Sequence, residues 1–219
     1  MPQPLTKAGI ANMALSLIGQ KPIPATDTTW TTTKEAVQVA AVWEMSRLTT
    51  LQAVNWKFAR TRIALVAATA SGTPSVGPET FIGWEYVYNY PASNHFVRKV
   101  FVDTSAPNPD PVEFVKFFGP VTEKLYLAAQ YDACYAETTN TSVGTTIDHY
   151  LLYDALATMA LACQVAALVA KPLTGKDTEM ERMIKLYGQY IDRAIFQNAR
   201  EENLKSTQKE TSSLITARG

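Results

Sequence analysis

The sequence predicts an α+β protein, built as an antiparallel helical bundle of about four helices with an inserted β-rich segment and an extended C-terminal tail. Three observations support this class. Apolar residues recur at helical spacing towards both ends of the chain. Short β-branched and aromatic runs, separated by clusters of Gly and Pro, occupy the middle. The final stretch is polar and offers few large apolar side chains to a core.

These changes in pattern divide the chain into four segments. Residues 1–57 are the first half of the helical bundle, and residues 58–144 are the β-rich insertion. Residues 145–203 are the second half of the bundle, and residues 204–219 are the C-terminal tail.

The first segment contains two predicted helices. Residues 6–19 carry a single apolar stripe, and Gly19 is a natural C-terminal stop. The second helix covers residues 33–54, with Thr32 or Thr33 as its N-cap. Its predicted buried face consists of Val37, Ala41, Met45, Leu48 and Leu51. Its predicted exposed face consists of Lys34, Glu35, Glu44 and Arg47.

The stretch from Thr145 to Lys171 predicts the central helix. Thr145 can cap its start, with Asp148 completing a weak capping box. Pro172 is expected to stop it at Lys171, because a proline disfavours the α conformation of the preceding residue. Its most apolar part, 155–170, is 16 residues long. A membrane span needs about 20, so a buried helix within a folded core is favoured.

A fourth helix follows the central one. Its apolar positions repeat at helical spacing at Met180, Met183, Ile184, Tyr187, Ile191, Ala194 and Ile195. Charged and polar side chains cover its opposite side, and their pattern favours a solvated or inter-subunit face over catalysis. In the middle segment, strand-like runs cover 58–66, 84–90, 96–102, 112–118 and 125–135. The last of these runs could instead be helical.

Charge and cysteine content limit the class of function. The chain of 219 residues has 20 basic and 20 acidic side chains. A neutral chain argues against an autonomous nucleic-acid binder and permits association between copies. The start of the chain lacks the apolar region of a signal peptide. Cys134 and Cys163 are predicted to be reduced, packed thiols.

The search for catalytic patterns predicts no catalytic, cofactor-binding or metal-binding residue. His95 and His149 lack the spacing of metal ligands, and no serine lies in a nucleophile elbow. Lys57, Arg60 and Arg62 flank an aromatic residue. This cluster fits either a nucleic-acid contact or a basic strand edge.

Several stretches, taken in order, resemble one known family. They are IANMALSLIGQKPI, NWKFARTRIAL, YVYNYPA, LYDALATMALACQVAALVAKPLTG and MIKLYGQYIDRAIFQNAREE. Together they are similar to the tail tubular protein A family (gatekeeper, or head-to-tail adaptor) of short-tailed bacteriophages. The resemblance spans roughly residues 6–203. It does not extend to PASNHFVRKVFVDTSAPNPDP in the β-rich segment.

The resemblance implies a non-enzymatic virion protein, made in the host cytoplasm and located at the head-to-tail junction. Its expected partners are the portal protein, the tail nozzle protein and further copies of itself in a dodecameric ring. DNA would pass through the lumen without sequence-specific binding, and no cofactor or membrane is implied.

The C-terminal tail is the expected partner-binding segment. The resemblance implies a docking arm that reaches the portal, with Leu204, Leu214, Ile215 and Arg218 as contact residues. Composition alone also fits a disordered terminus. Two other classes stay open for the whole chain: a virion-associated cell-wall hydrolase and a soluble DNA-binding accessory protein.

Overall fold

The structure is a computed structural model, and it describes residues 6–24, 29–68, 75–76, 79–80, 84–91, 95–102, 110–119, 124–143 and 152–216. Within these ranges the protein is a mixed α+β protein with four α-helices. The strands form two three-stranded antiparallel sheets and one two-stranded hairpin.

The chain divides into two compact units. Met1–Phe58 and Val143–Gly219 form the first, which we call the helical unit. Ala59–Ser142 form the second, which we call the β unit.

Helix α1, Lys7–Leu17, is bounded by local capping interactions, and the sequence predicted the one at Gly19. The Thr6 hydroxyl accepts a hydrogen bond from the Gly9 N–H at 3.0 Å. At the other end, Gly19 adopts a φ of 68°, which a residue with a side chain rarely adopts. The Gly19 and Gln20 N–H groups donate back to the carbonyls of Ser16 and Leu15, so a Schellman motif ends the helix.

Helix α2, Lys34–Ala53, begins at the predicted cap Thr33 but buries a different side from the predicted one. Its buried residues are Ala36, Val39, Trp43, Ser46, Arg47, Thr50 and Leu51. The prediction was therefore wrong for Val37, Ala41 and Met45, which are exposed, and for Arg47, which is buried. The reason is tertiary: Trp43 packs edge-on against Trp30 with ring centroids 5.3 Å apart, and this large contact selects the side facing the core.

Helix α3, Ala155–Thr174, starts and ends later than the sequence predicts. Asp154 is its N-cap, and its carboxylate accepts from the Ala157 N–H at 2.7 Å. Thr145 and Asp148 lie outside the described residues. Pro172 lies inside the helix, because its fixed φ suits a helix and its missing N–H removes only one bond near the end. The helix ends at Gly175, which has a φ of 70°.

Helix α3 is the core helix of the helical unit and contacts α1, α2 and α4. Most of its side chains are buried, including Leu161, Cys163 and Val165. Among the described residues, only this helix, at 20 residues, is long and apolar enough to cross a membrane by length and composition. The sequence favoured a core helix over a membrane span because its most apolar part is short. The helix itself is long enough for either, so length does not decide between them. Burial does, because 61% of its most apolar window is buried inside the protein.

Helix α4, Asp177–Thr216, is 40 residues long and includes most of the segment predicted as an extended tail. That prediction was wrong for 204–216. The segment contains neither Gly nor Pro, and extending an existing helix avoids the cost of nucleation.

The β unit contains eight strands in its described part. They are β1 Arg60–Ala64, β2 Ser75–Val76, β3 Glu79–Thr80, β4 Tyr86–Asn89, β5 His95–Phe101, β6 Phe114–Gly119, β7 Lys124–Ala129 and β8 Tyr135–Asn140. The predicted run 125–135 is thus one strand and a turn, and its helical alternative was wrong. Strand β8 was not predicted, because the polar stretch from Glu137 to Asn140 lacks apolar alternation.

The two larger sheets of the β unit share a core. One sheet has the order β1-β8-β5 and the other has the order β4-β7-β6. A cluster containing Val97, Val100 and Ala136 from the first sheet packs with Tyr88 and Leu127 from the second.

Candidate subunit-contact surfaces

One side of α2 presents four apolar side chains to solvent, together with the carboxylate of Glu44, whose side chain is 63% exposed. We call this the α2 face; its residues are Val37, Ala41, Met45 and Leu48. Val37 is 46% exposed and Met45 is 65% exposed, while Ala41 is also exposed and Leu48 is half-buried. Their spacing of four, four and three residues keeps them on one side of the helix. The periodic pattern that the sequence shows is therefore present, but it faces away from the core.

The buried side of α2 is fixed by Arg47. This side chain is only 2% exposed, and its Nη1 donates to the backbone carbonyl oxygen of Val143 at 2.7 Å. The Tyr153 hydroxyl donates to the same oxygen at 3.3 Å. Arg47 also forms an ion pair with Glu44. These bonds hold α2 in one rotation about its axis, which keeps the α2 face outward.

A second set of contacts fixes the first half of α2. The Lys7 ammonium lies 4.2 Å from the centroid of the Trp30 ring and 5.5 Å from that of Trp43. Burial lowers the pKa of Lys7, and the nearby Glu44 carboxylate opposes that effect. The hydrogen bond from Arg47 lowers the pKa of Glu44. This arrangement ties α1 and Trp30 to the inner side of α2.

A similar apolar surface runs along α4. We call it the α4 face; its residues are Ile184, Gly188, Ile191 and Ile195. Ile184 is 52% exposed and Ile195 is 50% exposed, and Ile191 is half-buried. The spacing of four, three and four residues again places them on one side of a helix. Ile184, Ile191 and Ile195 belong to the apolar repeat that the sequence shows, and within the single chain this part of the repeat is only partly buried.

Gly188 gives the α4 face a flat centre. A glycine inside a helix costs about 0.5–1 kcal/mol relative to alanine. Here an added Cβ would meet nothing within 4 Å. No neighbour within the described chain therefore requires a glycine at this position, whereas a helix from another molecule could approach it closely.

The inner side of α4 is anchored by both packing and polar contacts. Met183 and Ala194 are buried. The Arg182 Nη2 donates to the Leu17 carbonyl oxygen at 2.7 Å, and the same group pairs with Glu179. Near the C-terminal half, Asn198 donates to the Asn55 carbonyl oxygen at 3.4 Å. These contacts fix which side of α4 remains outward.

The two faces expose apolar area that a single chain would normally bury. Fully burying a Val, Leu, Ile or Met side chain stabilises by about 1.5–3 kcal/mol. Isolated apolar side chains on a surface are ordinary, but aligned rows on two helices are typical of contacts with another protein. The arrangement can therefore support association with another protein through the α2 face and the α4 face.

The partner-binding residues predicted from sequence lie elsewhere. Leu204, Leu214 and Ile215 fall within α4, whose backbone alone is described beyond residue 200. Arg218 lies outside the described residues. The structure therefore places the first three on a helix and does not bring them together with either face.

A cleft of about 510 Å³ lies where the C-terminal ends of α1 and α3 meet the start of α4. Its lining includes Gly19, Thr174, Lys176 and Arg182. Arg182 is already bonded to Leu17 and Glu179, so its charge serves the contact between helices.

The described histidine and cysteine side chains, whose types can act as nucleophiles or metal ligands, lie in packed positions. His95 hydrogen-bonds to the Thr138 hydroxyl at 2.9 Å, and burial lowers its pKa. His149 lies outside the described residues. Cys134 and Cys163 are free and buried, and burial raises the pKa of Cys163 to about 11. Within the described ranges, no group of three or more His, Cys, Asp or Glu side chains could hold a metal ion.

Comparison with known proteins leaves the family resemblance without independent support. No protein-family model matches the chain, and no curated protein matches it at a significant level.

Sequence reasoning listed the residues of the α2 face as buried. It also identified the apolar repeat of α4 that contains Ile184, Ile191 and Ile195, but it did not single out Gly188. A signal was present in α2. Trp43, Val39 and Ala36 form a second apolar arc beside Val37, Ala41 and Met45, and one neighbouring helix cannot cover both arcs.

Proposed function

We propose that this chain is a structural protein of the head-to-tail junction in a short-tailed bacteriophage. In this role it forms a dodecameric adaptor ring that joins the portal protein to the tail nozzle protein, and DNA passes through the ring. It acts in the virion, after synthesis in the host cytoplasm, and needs no cofactor. The similarity of five ordered stretches to the tail tubular protein A family suggests this role.

The same proposal gives a finer description of the fold. The four helices are taken as an antiparallel bundle, and the β unit as an insertion between its two halves. The two-residue connection between α3 and α4 supports an antiparallel pair. Contacts of α3 with the other three helices support a bundle around it.

One structural observation supports the proposal in addition to the family resemblance: two separate apolar faces are exposed on the helical unit. A ring needs each copy to offer two different surfaces, one for the preceding copy and one for the next. The α2 face and the α4 face are two such surfaces. We therefore assign the subunit contact to the α2 face of one copy against the α4 face of its neighbour.

Such a contact is heterologous, so its geometry decides between a closed ring and an open filament. A portal beneath the capsid would supply a template that closes the ring. The proposal also retains Leu204, Leu214, Ile215 and Arg218 as contacts to the portal, now carried largely by the end of a long helix.

The test is assembly with a portal. Full-length protein is mixed with the portal protein of the same phage and examined by mass photometry and negative-stain electron microscopy. We expect ring-shaped particles on the portal for the wild-type chain. Met45→Glu and Ile184→Glu should each prevent ring formation, because each places a carboxylate in an apolar contact.

Two matched controls separate this effect from a general change in charge. Ala40→Glu changes an exposed position on another side of α2, and Gln189→Glu does the same on α4. Both controls should assemble like the wild type. The proposal fails if the wild-type chain does not bind the portal, or if all four variants assemble equally. Peptidoglycan cleavage by the free chain would favour the hydrolase class instead.

A further inference from the structure

Strand β5, His95–Phe101, lies at one edge of the sheet with the order β1-β8-β5. An edge strand has backbone N–H and C=O groups that point away from its sheet, and a strand of another molecule can pair with them. Proteins that avoid such pairing cover, charge or distort their edge strands. The outer edge of β5 shows all three of these features.

The backbone of a neighbouring segment covers the edge at Val100. The Val100 carbonyl oxygen accepts a hydrogen bond from the Val112 N–H at 2.8 Å, and the two residues form an isolated antiparallel bridge. Val112 precedes β6, which begins at Phe114 and belongs to the other three-stranded sheet. The chain that leads into β6 therefore occupies the place that a further strand would take beside this part of β5.

Two side chains cover the same edge at Val97. The Val97 N–H donates to the Tyr90 hydroxyl at 3.2 Å, and the Lys116 ammonium donates to the Val97 carbonyl oxygen at 3.5 Å. In an antiparallel pair, every second residue turns both backbone groups away from its partner strand, and a further strand would bond to those groups. At Val97 the side chains of Tyr90, which follows β4, and of Lys116 in β6 take the place of that strand.

Other contacts hold these two side chains at the edge. The Lys116 Nζ lies 4.4 Å from the centroid of the Phe96 ring and 5.6 Å from the centroid of the Tyr90 ring. Both distances are within the range of a cation–π interaction. Tyr90 also packs against the core that the two larger sheets share. The positions of Tyr90 and Lys116 therefore do not depend on their hydrogen bonds to Val97 alone.

The stretch next to Val97 is also distorted and charged. The register of β5 against β8 shifts between Val97 and Lys99, which marks a bulge that bends the strand. The two residues that follow Val97 are Arg98 and Lys99, so adjacent cations lie beside the covered position. Bulges and lysines on an edge strand both oppose pairing with another edge.

We propose that Tyr90 and Lys116 close the outer edge of β5 against pairing with β5 of a second copy. The same edge on two copies is self-complementary, because antiparallel pairing about a two-fold axis matches each N–H with a C=O. With this edge closed, association between copies is left to surfaces other than β5. The role involves neither the portal nor the helix faces, so it is independent of the proposed function.

Hydrogen–deuterium exchange of the full-length protein, resolved by residue with NMR, tests the contact with Tyr90. Tyr90→Phe removes the acceptor of the Val97 N–H and keeps the ring. In dilute protein it should speed the exchange of the Val97 amide by about two- to tenfold. Tyr131→Phe is the matched control, because Tyr131 is 49% exposed and its removal of a hydroxyl lies away from this edge. The control should leave the exchange of Val97 unchanged.

Sedimentation velocity over a concentration series, without portal, measures pairing between copies. Tyr90→Phe/Lys116→Met should self-associate about tenfold more tightly than the wild type, because both backbone groups of Val97 become available. Tyr131→Phe/Lys124→Met makes the same two changes elsewhere, with Lys124 exposed on the central strand β7, and should sediment like the wild type. Circular dichroism checks that each variant folds, and the single variants Tyr90→Phe and Lys116→Met replace the double variant if it does not.

The exchange of Val97 also identifies where the copies pair. In the double variant it should slow again as the protein concentration rises, because pairing through β5 protects this amide. Three outcomes overturn the inference: unchanged Val97 exchange in Tyr90→Phe, equal sedimentation of the double variant and its control, or a dimer in which Val97 still exchanges rapidly. Ring assembly on the portal is scored separately, and its failure in the wild type rejects the proposed function alone.

Discussion

Arg47 and Val143 are 96 positions apart in sequence, yet the Arg47 Nη1 donates a 2.7 Å hydrogen bond to the Val143 carbonyl oxygen. The bond lies inside the helical unit and joins α2 to the segment that precedes α3. Since the same bond fixes the rotation of α2, it also determines which apolar residues face solvent. A buried polar anchor thus helps to create the exposed α2 face.

Replacing Arg47 should destabilise the helical unit. Arg47→Met keeps much of the side-chain volume but removes a buried donor, so we expect the free energy of unfolding to fall by about 1–3 kcal/mol. Urea unfolding followed by circular dichroism measures the change. Glu44→Gln is the control: the Glu44 side chain is 63% exposed, and its ion pair should contribute less than about 1 kcal/mol. Equal losses in both variants would show that the ion pair, not the Val143 bond, matters.

The central helix α3 should respond differently at two leucines. Leu161 is fully buried, whereas Leu156 is half-buried. Leu161→Asp should abolish folding, because an unpaired buried carboxylate costs several kcal/mol against a total stability of about 5–15 kcal/mol. Leu156→Asp should lower the melting temperature but leave a folded protein. Thermal melts of both variants decide this, and a wild-type melt for Leu161→Asp would show that α3 is not the core helix.

Stability should fall at high pH because of Cys163. Burial raises the pKa of this thiol from its ordinary value of 9.0 to about 11 in the folded chain. The folded state therefore disfavours the thiolate. The stability contributed by the neutral thiol is complete below pH 9 and is lost as the pH rises towards 11. Two pH units correspond to about 2–3 kcal/mol of unfolding free energy.

Urea unfolding between pH 8 and pH 11 measures this loss. Cys163→Ala should show a flatter pH profile than the wild type, although not a level one. Burial also raises the pKa of Cys134 and Tyr187, and both contribute in the same direction. An unchanged slope in Cys163→Ala would contradict the assignment.

The C-terminal part of α4 should be dispensable for folding but required for portal binding. Truncation after Asn203 removes Leu204, Leu214, Ile215 and Arg218, the residues predicted to contact the portal. We expect an unchanged melting temperature and at least tenfold weaker binding to portal rings, measured by biolayer interferometry. The full-length variant Leu214→Ser/Ile215→Ser should weaken binding in the same direction. Wild-type affinity in both proteins would show that this segment is not a docking arm.

Short-range sequence patterns predicted the helices. The features that the sequence did not predict depend on contacts between residues that are distant along the chain. The end of α1 and the start of α2 follow from Gly19 and Thr33, whose capping bonds reach only a few residues. The periodicity of α2 identifies an apolar side. It does not indicate that Trp43 and Arg47 turn a different side to the core.

Strand β8 shows the same limit. Glu137 to Asn140 form a buried polar strand only because Arg60, Arg62 and the Thr138 hydroxyl find partners across the sheet. No short-range pattern reveals those partners. The candidate surfaces were consequently visible as residues in the sequence, but their exposure and their grouping depend on the fold.

The central claim is that the α2 face of one copy packs against the α4 face of the next, and disulfide trapping tests it most directly. Met45→Cys and Ile195→Cys proteins are prepared separately, mixed in the presence of portal rings and oxidised. The native cysteines are buried and should not interfere. We predict covalent dimers in the mixture, none in either protein alone, and a ladder of larger covalent oligomers from the double variant. Cross-linking of each single variant with itself, or no cross-linking in the mixture on the portal, would contradict the account.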